Sequence, residues 1–307
     1  MDYQPPAAPC PLHPEQGAQS ICARCGNFMC GVCTEGGTYD ACPTCRQLTG
    51  DVPGFIWTRG SYSLDGILSF VWDRFKKEWV MLSLAALIYF VVVFGAGLIG
   101  NVLQAVGMAI HPAVGAGLAV AASIIQYVVQ AVITGGFVVI AYDVMKGRAV
   151  DLGRMFGQFR NFGAYTVATL LVFALLLTLA IPVGIGAGIG YAIGEETGLF
   201  IGMGIGSVIA IFPGFWLLLP WMFLEMEIAL GGESSGVQAL VSSFKLADGH
   251  RLWMFLFGFL AWLMIFGGAL LCCIGALPGF ALATMLKLGL YLALRNGSGL
   301  GPMRGEV

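Results

Sequence analysis

Six stretches of this chain stay apolar for close to the length a membrane-crossing helix requires, about 20 residues, and this constrains the fold more than any other feature. They run over about 80–101, 113–141, 163–193, 199–224, 252–277 and 278–294. Hydrocarbon offers no partner to a backbone N–H or C=O, so each stretch must satisfy its own as a helix. Charged side chains are 10% of the 307 residues, whereas water-soluble domains carry about 25%. Gly supplies 45 residues, which suits helices that approach closely in lipid. A formal net charge of −2 leaves no surplus for binding nucleic acid. The expected fold is an all-α membrane protein, with Pro182, Pro213 and Pro220 kinking or breaking their spans.

Three shorter amphipathic segments precede the odd-numbered spans. The first sets Leu64, Ile67, Leu68, Val71, Trp72 and Phe75 on one face. The second groups Leu152, Met155, Phe156 and Phe159 behind a cap at Asp151. The third groups Val237, Leu240, Val241 and Phe244 after Ser234 and Ser235. Such helices either lie in the membrane interface or pack on the bundle as connectors. Each is followed by two spans, and the even spans close alike at Met145-Lys146-Gly147, Ala229-Leu230-Gly231 and Arg295-Asn296-Gly297. The pattern predicts three repeated units, each an amphipathic helix and a transmembrane hairpin.

Lys and Arg set the orientation. Arg24, Arg46, Arg59, Arg74, Lys76 and Lys77 precede the first span, and Lys146, Arg148, Arg154 and Arg160 follow the second. Lys245 and Arg251 follow the fourth, and Arg295 and Arg304 follow the sixth. The three opposite loops carry no Lys or Arg, which predicts a multi-pass protein of the cell membrane with both termini cytoplasmic.

The first 50 residues are of another kind. They lack an apolar core and cleavage site of the secretory type, and they hold seven of the nine cysteines. Potential ligands fall in four pairs: Cys10-x2-His13, Cys22-x2-Cys25, Cys30-x2-Cys33 and Cys42-x2-Cys45. A two-residue spacer lets both members of a pair grip one tetrahedral Zn²⁺, and two pairs close a structural site. Eight ligands make two zinc sites, paired either sequentially or interlaced. A disulfide framework fits worse, because seven thiols are odd in number and His13 completes the eighth position. A redox role for the Cys-x2-Cys pairs lacks the βαβ context it needs. So short a segment cannot fold on a hydrophobic core, so metal must stabilise it. The expected domains are a zinc-binding head over 1–50, a linker over 51–62, a membrane body over 63–297 and a tail over 298–307.

The run Cys10-x2-His13-x8-Cys22-x2-Cys25-x4-Cys30-x2-Cys33 resembles the opening of a B-box zinc finger. The resemblance implies interlaced sites, Cys10, His13, Cys30 and Cys33 for one ion and Cys22, Cys25, Cys42 and Cys45 for the other. It departs from the family at Cys42 and Cys45, which stand where histidines are usual. It implies a protein-binding module. The Cys42-Pro43-Thr44-Cys45 ending is also similar to RING fingers, which would imply a membrane-tethered ubiquitin ligase. In the body, Ala239, Ser243, Lys245, Pro278 and Tyr291 to Leu294 resemble a class of bacterial six-span proteins that brings no activity with it.

Within the membrane, Lys287 and Glu225 lie at comparable depth and form a candidate ion pair, while Asp143 at the edge is expected to be solvated. His111 and His250 are lone loop histidines. No Ser-His-Asp set, HExxH or Walker element is present. These features point to a non-enzymatic membrane protein. Its partners would be the bilayer and a cytoplasmic protein bound through the two-zinc head. The alternative is a transporter or channel regulated by that head, which requires a polar cavity reached by Lys287, Glu225, Gln126 or Gln130.

Overall fold

Ser63 opens the helical body: its hydroxyl accepts from the Gly66 N–H at 3.1 Å, and Asp65 adds negative charge to the first turn. In this computed structural model the helix that follows, α1 (Leu64–Ile110), runs for 47 residues and departs from helical geometry at Glu78. The break divides a stretch holding Asp73, Arg74, Lys76 and Lys77 from an uncharged one. The structure describes residues 8–22, 25–34, 42–45, 52–231, 235–271, 273–300 and 303; Arg24, Arg46, Ser234 and Arg304 lie outside them. The remaining helices are α2 (Pro112–Met145), α3 (Phe162–Leu218), α4 (Leu224–Leu230), α5 (Gly236–Ala247), α6 (Arg251–Leu271) and α7 (Ala276–Arg295).

Among the described residues, six helical stretches are long and apolar enough to cross a membrane. α3 is a hairpin, because helical φ and ψ fail within its 57 residues at Gly194 and Glu195, and Glu195 takes φ 49°. This reversal makes two crossings of α3, the second arm running on through a 3-10 turn at Leu219–Phe223 into α4. The arms meet on glycine: Gly186 lies against Gly202, and Gly190 against Gly198. Pro182 and Pro213 keep helical geometry, with Gly206 opposite the Pro182 carbonyl, whereas Pro220 lies in the 3-10 turn.

Burial is uneven among the crossings. Of the most apolar stretch in each, 56% is buried in α2, 44% in Pro213–Leu230 and 67% in α7, against 22% in α1, 6% in Leu152–Ile211 and 17% in α6, so both arms of α3 stay largely open as far as Ile211. The open stretches present large apolar side chains such as Phe94, Leu177 and Ile193, a surface for lipid rather than water. α7 is buried on all sides from Leu288 to Arg295 and packs against α1, α2 and α6. Gly289 permits this, since a Cβ there would come within 2.6 Å of Ile67 in the charged part of α1.

The three short segments all rest on the bundle, by different faces. Ile67, Val71 and Phe75 of α1 point inward, while Trp72 is exposed. Leu152–Asn161 is a 3-10 helix that buries Met155 and turns Phe156 and Phe159 outward. α5 turns only part of the expected face inward: Leu240 and Phe244 are half-buried and Val237 and Val241 are exposed, while Gly236, Ala239, Ser243 and Leu246 are buried. Small residues win because the backbone of α5 lies against α3, where any Cβ at Gly236 would strike the Ala164 carbonyl.

Residues 52–62, expected to be a linker, are laid along one end of the bundle. Phe55, Trp57 and Phe70 form an edge-on aromatic trio, and Trp57 and Arg59 bond through their backbones with Asn296 at 2.9 Å. The Arg59 guanidinium donates to the Asp248 carbonyl at 2.7 Å and, through Nε, to His250 Nε2 at 3.2 Å. His250 is therefore neutral, its Nδ1–H facing the Tyr62 hydroxyl at 2.8 Å. Burial, with Arg59 alongside, holds the His250 pKa below its ordinary value, Asp248 acting in the opposite sense. Burial pushes the Tyr62 hydroxyl up to about 12, so it stays protonated.

Two outcomes follow from this packing. Gly202→Ala should lower the melting temperature in detergent by separating the arms of α3, at a cost of about 1–3 kcal/mol. Gly204→Ala, with open space around it, should not; equal effects would count against a glycine-packed hairpin. The depressed His250 pKa stabilises the contact above about pH 6.5, and that stability is lost as pH falls. Amide-exchange protection of residues 55–61 should thus drop between pH 7.5 and 5.5 and become pH-insensitive in His250→Phe.

Candidate metal centres and embedded charges

Two very short hairpins place the ligands of the N-terminal segment. β1 (Pro9–Cys10) pairs with β2 (His13–Gly17), so their turn holds Cys10 and His13. β3 (Ser20–Ile21) pairs with β4 (Phe28–Met29), Ser20 opposite Met29 and Ile21 opposite Phe28. The β3–β4 turn carries Cys22 and Cys25; it is closed by Cys22 N–H to the Asn27 carbonyl at 2.8 Å, with Gly26 at φ +72°. Cys30 and Cys33 follow β4, at the opposite end of the hairpin. Two residues of strand thus send consecutive pairs in opposite directions.

The outcome is two clusters, Cys10 with His13, Cys30 and Cys33, and Cys22 with Cys25, Cys42 and Cys45, the ligand atoms of each lying within 4.8 Å of one another. Each has the donor set to hold a metal ion. In the first, Cys10 and Cys33 sulfurs are 3.5 Å apart, and His13 Nδ1 lies 3.4 Å from the sulfurs of both Cys30 and Cys33. In the second, Cys25 and Cys42 sulfurs are 3.7 Å apart, and the Cys42 N–H donates to Cys22 Sγ at 3.2 Å. Tetrahedral coordination at about 2.3 Å to sulfur and about 2.05 Å to nitrogen gives edges of about 3.8 and 3.6 Å. A disulfide would bring sulfurs to about 2.05 Å. Burial and the neighbouring Cys10 and Cys30 thiols push the Cys33 thiol up to about 12. A divalent cation at the centre reverses that balance and favours the thiolate. Cys10, Cys30 and Cys33 are buried with Met29 in the small core of this segment.

The embedded charges are arranged differently from the sequence expectation. Glu227 of α4 is fully buried and ion-paired with Arg295 of α7. Tyr291 donates to the same carboxylate at 3.0 Å, and Arg295 also donates to the Gly231 carbonyl at 2.9 Å. Glu225, two residues away, lies on the wall of a cavity with Gln130. Lys287 acts on Glu225 electrostatically, but among the described residues no ion pair of 4.0 Å or less joins them. Gln126 packs on Gly97 of α1 instead. Asp143, expected in solvent, is buried and paired with Arg154 at 2.6 Å and Arg148 at 3.5 Å.

Arg295 closes the last apolar stretch, so the sequence reads it as one of the cations flanking the sixth span. Its partner is 68 residues away in sequence, so no local spacing announces it. His111 also has a role that its neighbours explain: Nδ1 accepts from the Ala113 N–H at 3.1 Å and, with Pro112, starts α2. Comparison with protein-family models, with curated proteins and with solved structures finds no match.

Removing one member of the buried pair strands a charge. Glu227→Leu should cost roughly 3–5 kcal/mol, seen as a lower melting temperature in detergent. Glu227→Leu with Arg295→Leu should recover most of it; a double variant as unstable as the single would show the pair is not the cause.

Proposed function

We propose that this chain is a multi-pass protein of the cell membrane, both termini cytoplasmic, whose N-terminal module folds around two zinc ions and holds a protein partner at the bilayer. The observation that carries the reading is the union of two four-ligand clusters with a body of membrane-length helices. Thiolate-rich tetrahedral sets suit zinc. Four protein ligands leave no position open for substrate or activated water, which favours binding over catalysis. The reducing cytoplasm keeps such thiols available, in agreement with the Lys and Arg distribution. The B-box resemblance of the ligand spacing supports a protein-binding role.

The body fits three copies of one unit. The second and sixth crossings are the most buried, and the fourth becomes buried toward α4. Asp143 and Glu227 each stand four residues before the glycine that closes their crossing, and each pairs with arginine. The exposed Trp72, Phe156, Phe159, Val237 and Val241 give the three short segments apolar side chains to set into the membrane interface. Transport regulated by the head is the second reading, favoured by the cavity that holds Glu225 and Gln130.

Elemental mass spectrometry on the purified chain should find about two zinc ions per molecule. Cys10→Ser and Cys22→Ser should each lose one. Proximity labelling from the N-terminus in cells should then report neighbours that disappear in Cys10→Ser while membrane insertion is unchanged. An identical neighbour set in parent and variant would sink the partner-binding role, and zinc-poor parent protein would sink the metal assignment.

A further inference from the structure

A cavity of about 260 Å³ lies between α2, the first arm of α3 and α4. Glu225 is the one charged residue on its wall among the described residues. Most of the rest is carbon, from Ala131, Val172, Leu224 and Ile228, and four aromatic rings complete it. Tyr127 and Phe173 stand edge to face at 5.3 Å, and Trp221 projects from the 3-10 turn before α4. The Tyr165 hydroxyl donates to Gln158 at 3.3 Å, so that end of the side chain is already engaged. Gln130 donates to Tyr89 at 3.5 Å through its amide nitrogen.

This composition selects among ligands. An anion would be repelled by Glu225. A neutral molecule would leave the carboxylate in a low dielectric with no new partner. A hard metal ion needs about six to eight oxygen ligands, more than a largely carbon wall offers. A cation with apolar substituents satisfies every part of it, pairing with the carboxylate and meeting the faces of the rings. Lys287 lies off the wall and only weakens the field that such a cation meets.

We propose that this cavity binds an organic ammonium ion, with Glu225 as its counter-ion and Trp221, Tyr127 and Tyr165 against its substituents. This goes beyond partner capture by the head and requires no transport. A soluble amine and the ammonium headgroup of a lipid present the same chemistry.

The full chain, reconstituted in phosphatidylglycerol nanodiscs that contain no ammonium group, would be titrated with radiolabelled choline. The same titration would use 3,3-dimethyl-1-butanol as competitor, in which carbon replaces the charged nitrogen. Saturable binding of one choline per chain is expected, with the alcohol at least about tenfold weaker. Glu225→Gln should weaken choline by about tenfold or more, and Trp221→Leu by several-fold. Lys287→Gln should tighten it, which a merely structural Glu225 would not do. Each variant would be checked for an unchanged elution profile and melting temperature. Partial replacement by phosphatidylcholine separates the sources: loss of choline binding assigns the site to a lipid headgroup, retention to a soluble amine. Equal binding of choline and the alcohol, choline affinity unchanged in folded Glu225→Gln and Trp221→Leu, or no saturable binding to the parent would overturn the proposal.

Discussion

Lipid tails are as apolar as leucine, so helices in a bilayer gain little from hiding apolar surface from one another. What holds them is contact close enough for dispersion and a few polar interactions with no competitor. That constraint runs through the whole body. The arms of α3 approach through facing glycines, α7 receives Ile67 at Gly289, and α5 meets α3 at Gly236. Two buried carboxylates are joined to arginines of other elements, Glu227 to Arg295 and Asp143 to Arg154. Because α7 is surrounded, its Arg295 is the point at which three parts of the chain are tied: the end of α4, Gly231 after it, and α7 itself.

The N-terminal segment answers the opposite problem. In water, four strands of two to five residues cannot bury enough to offset chain entropy. Its interior is made of ligand sulfurs around Met29. Because the β3–β4 hairpin separates Cys22 and Cys25 from Cys30 and Cys33, both clusters depend on the same few backbone bonds. Residues 52–62 are themselves fixed to the bundle, since Phe55 joins its core and Trp57 and Arg59 are held by Asn296 and His250.

The spans, their number and the eight ligands were legible from order and spacing alone, since helix length and Cys-x2-Cys geometry are local properties. Partners across the bundle were not. Glu225 and Lys287 matched in depth along the chain, yet helix rotation turned Glu225 toward a cavity and brought Glu227 to Arg295. Asp143 looked solvated because it ends an apolar run, and it is buried because the 3-10 turn at Leu152–Asn161 brings Arg154 over it. On α5 half of the apolar face read from periodicity, Val237 and Val241, is exposed. In a membrane an apolar stripe can face lipid, and the small-residue stripe then makes the helix contact.

By itself the sequence determined that this chain carries helices long and apolar enough to cross a membrane, and that its first 50 residues offer eight donors, enough for two four-ligand metal sites. Both follow from local rules, backbone bonds that hydrocarbon will not satisfy and donors spaced for one turn. Tertiary structure alone decided which crossings are most buried, which charges meet and where a cavity remains. Those outcomes depend on the rotation and approach of helices far apart in sequence. A glycine or a carboxylate has no preferred partner until the bundle has closed around it.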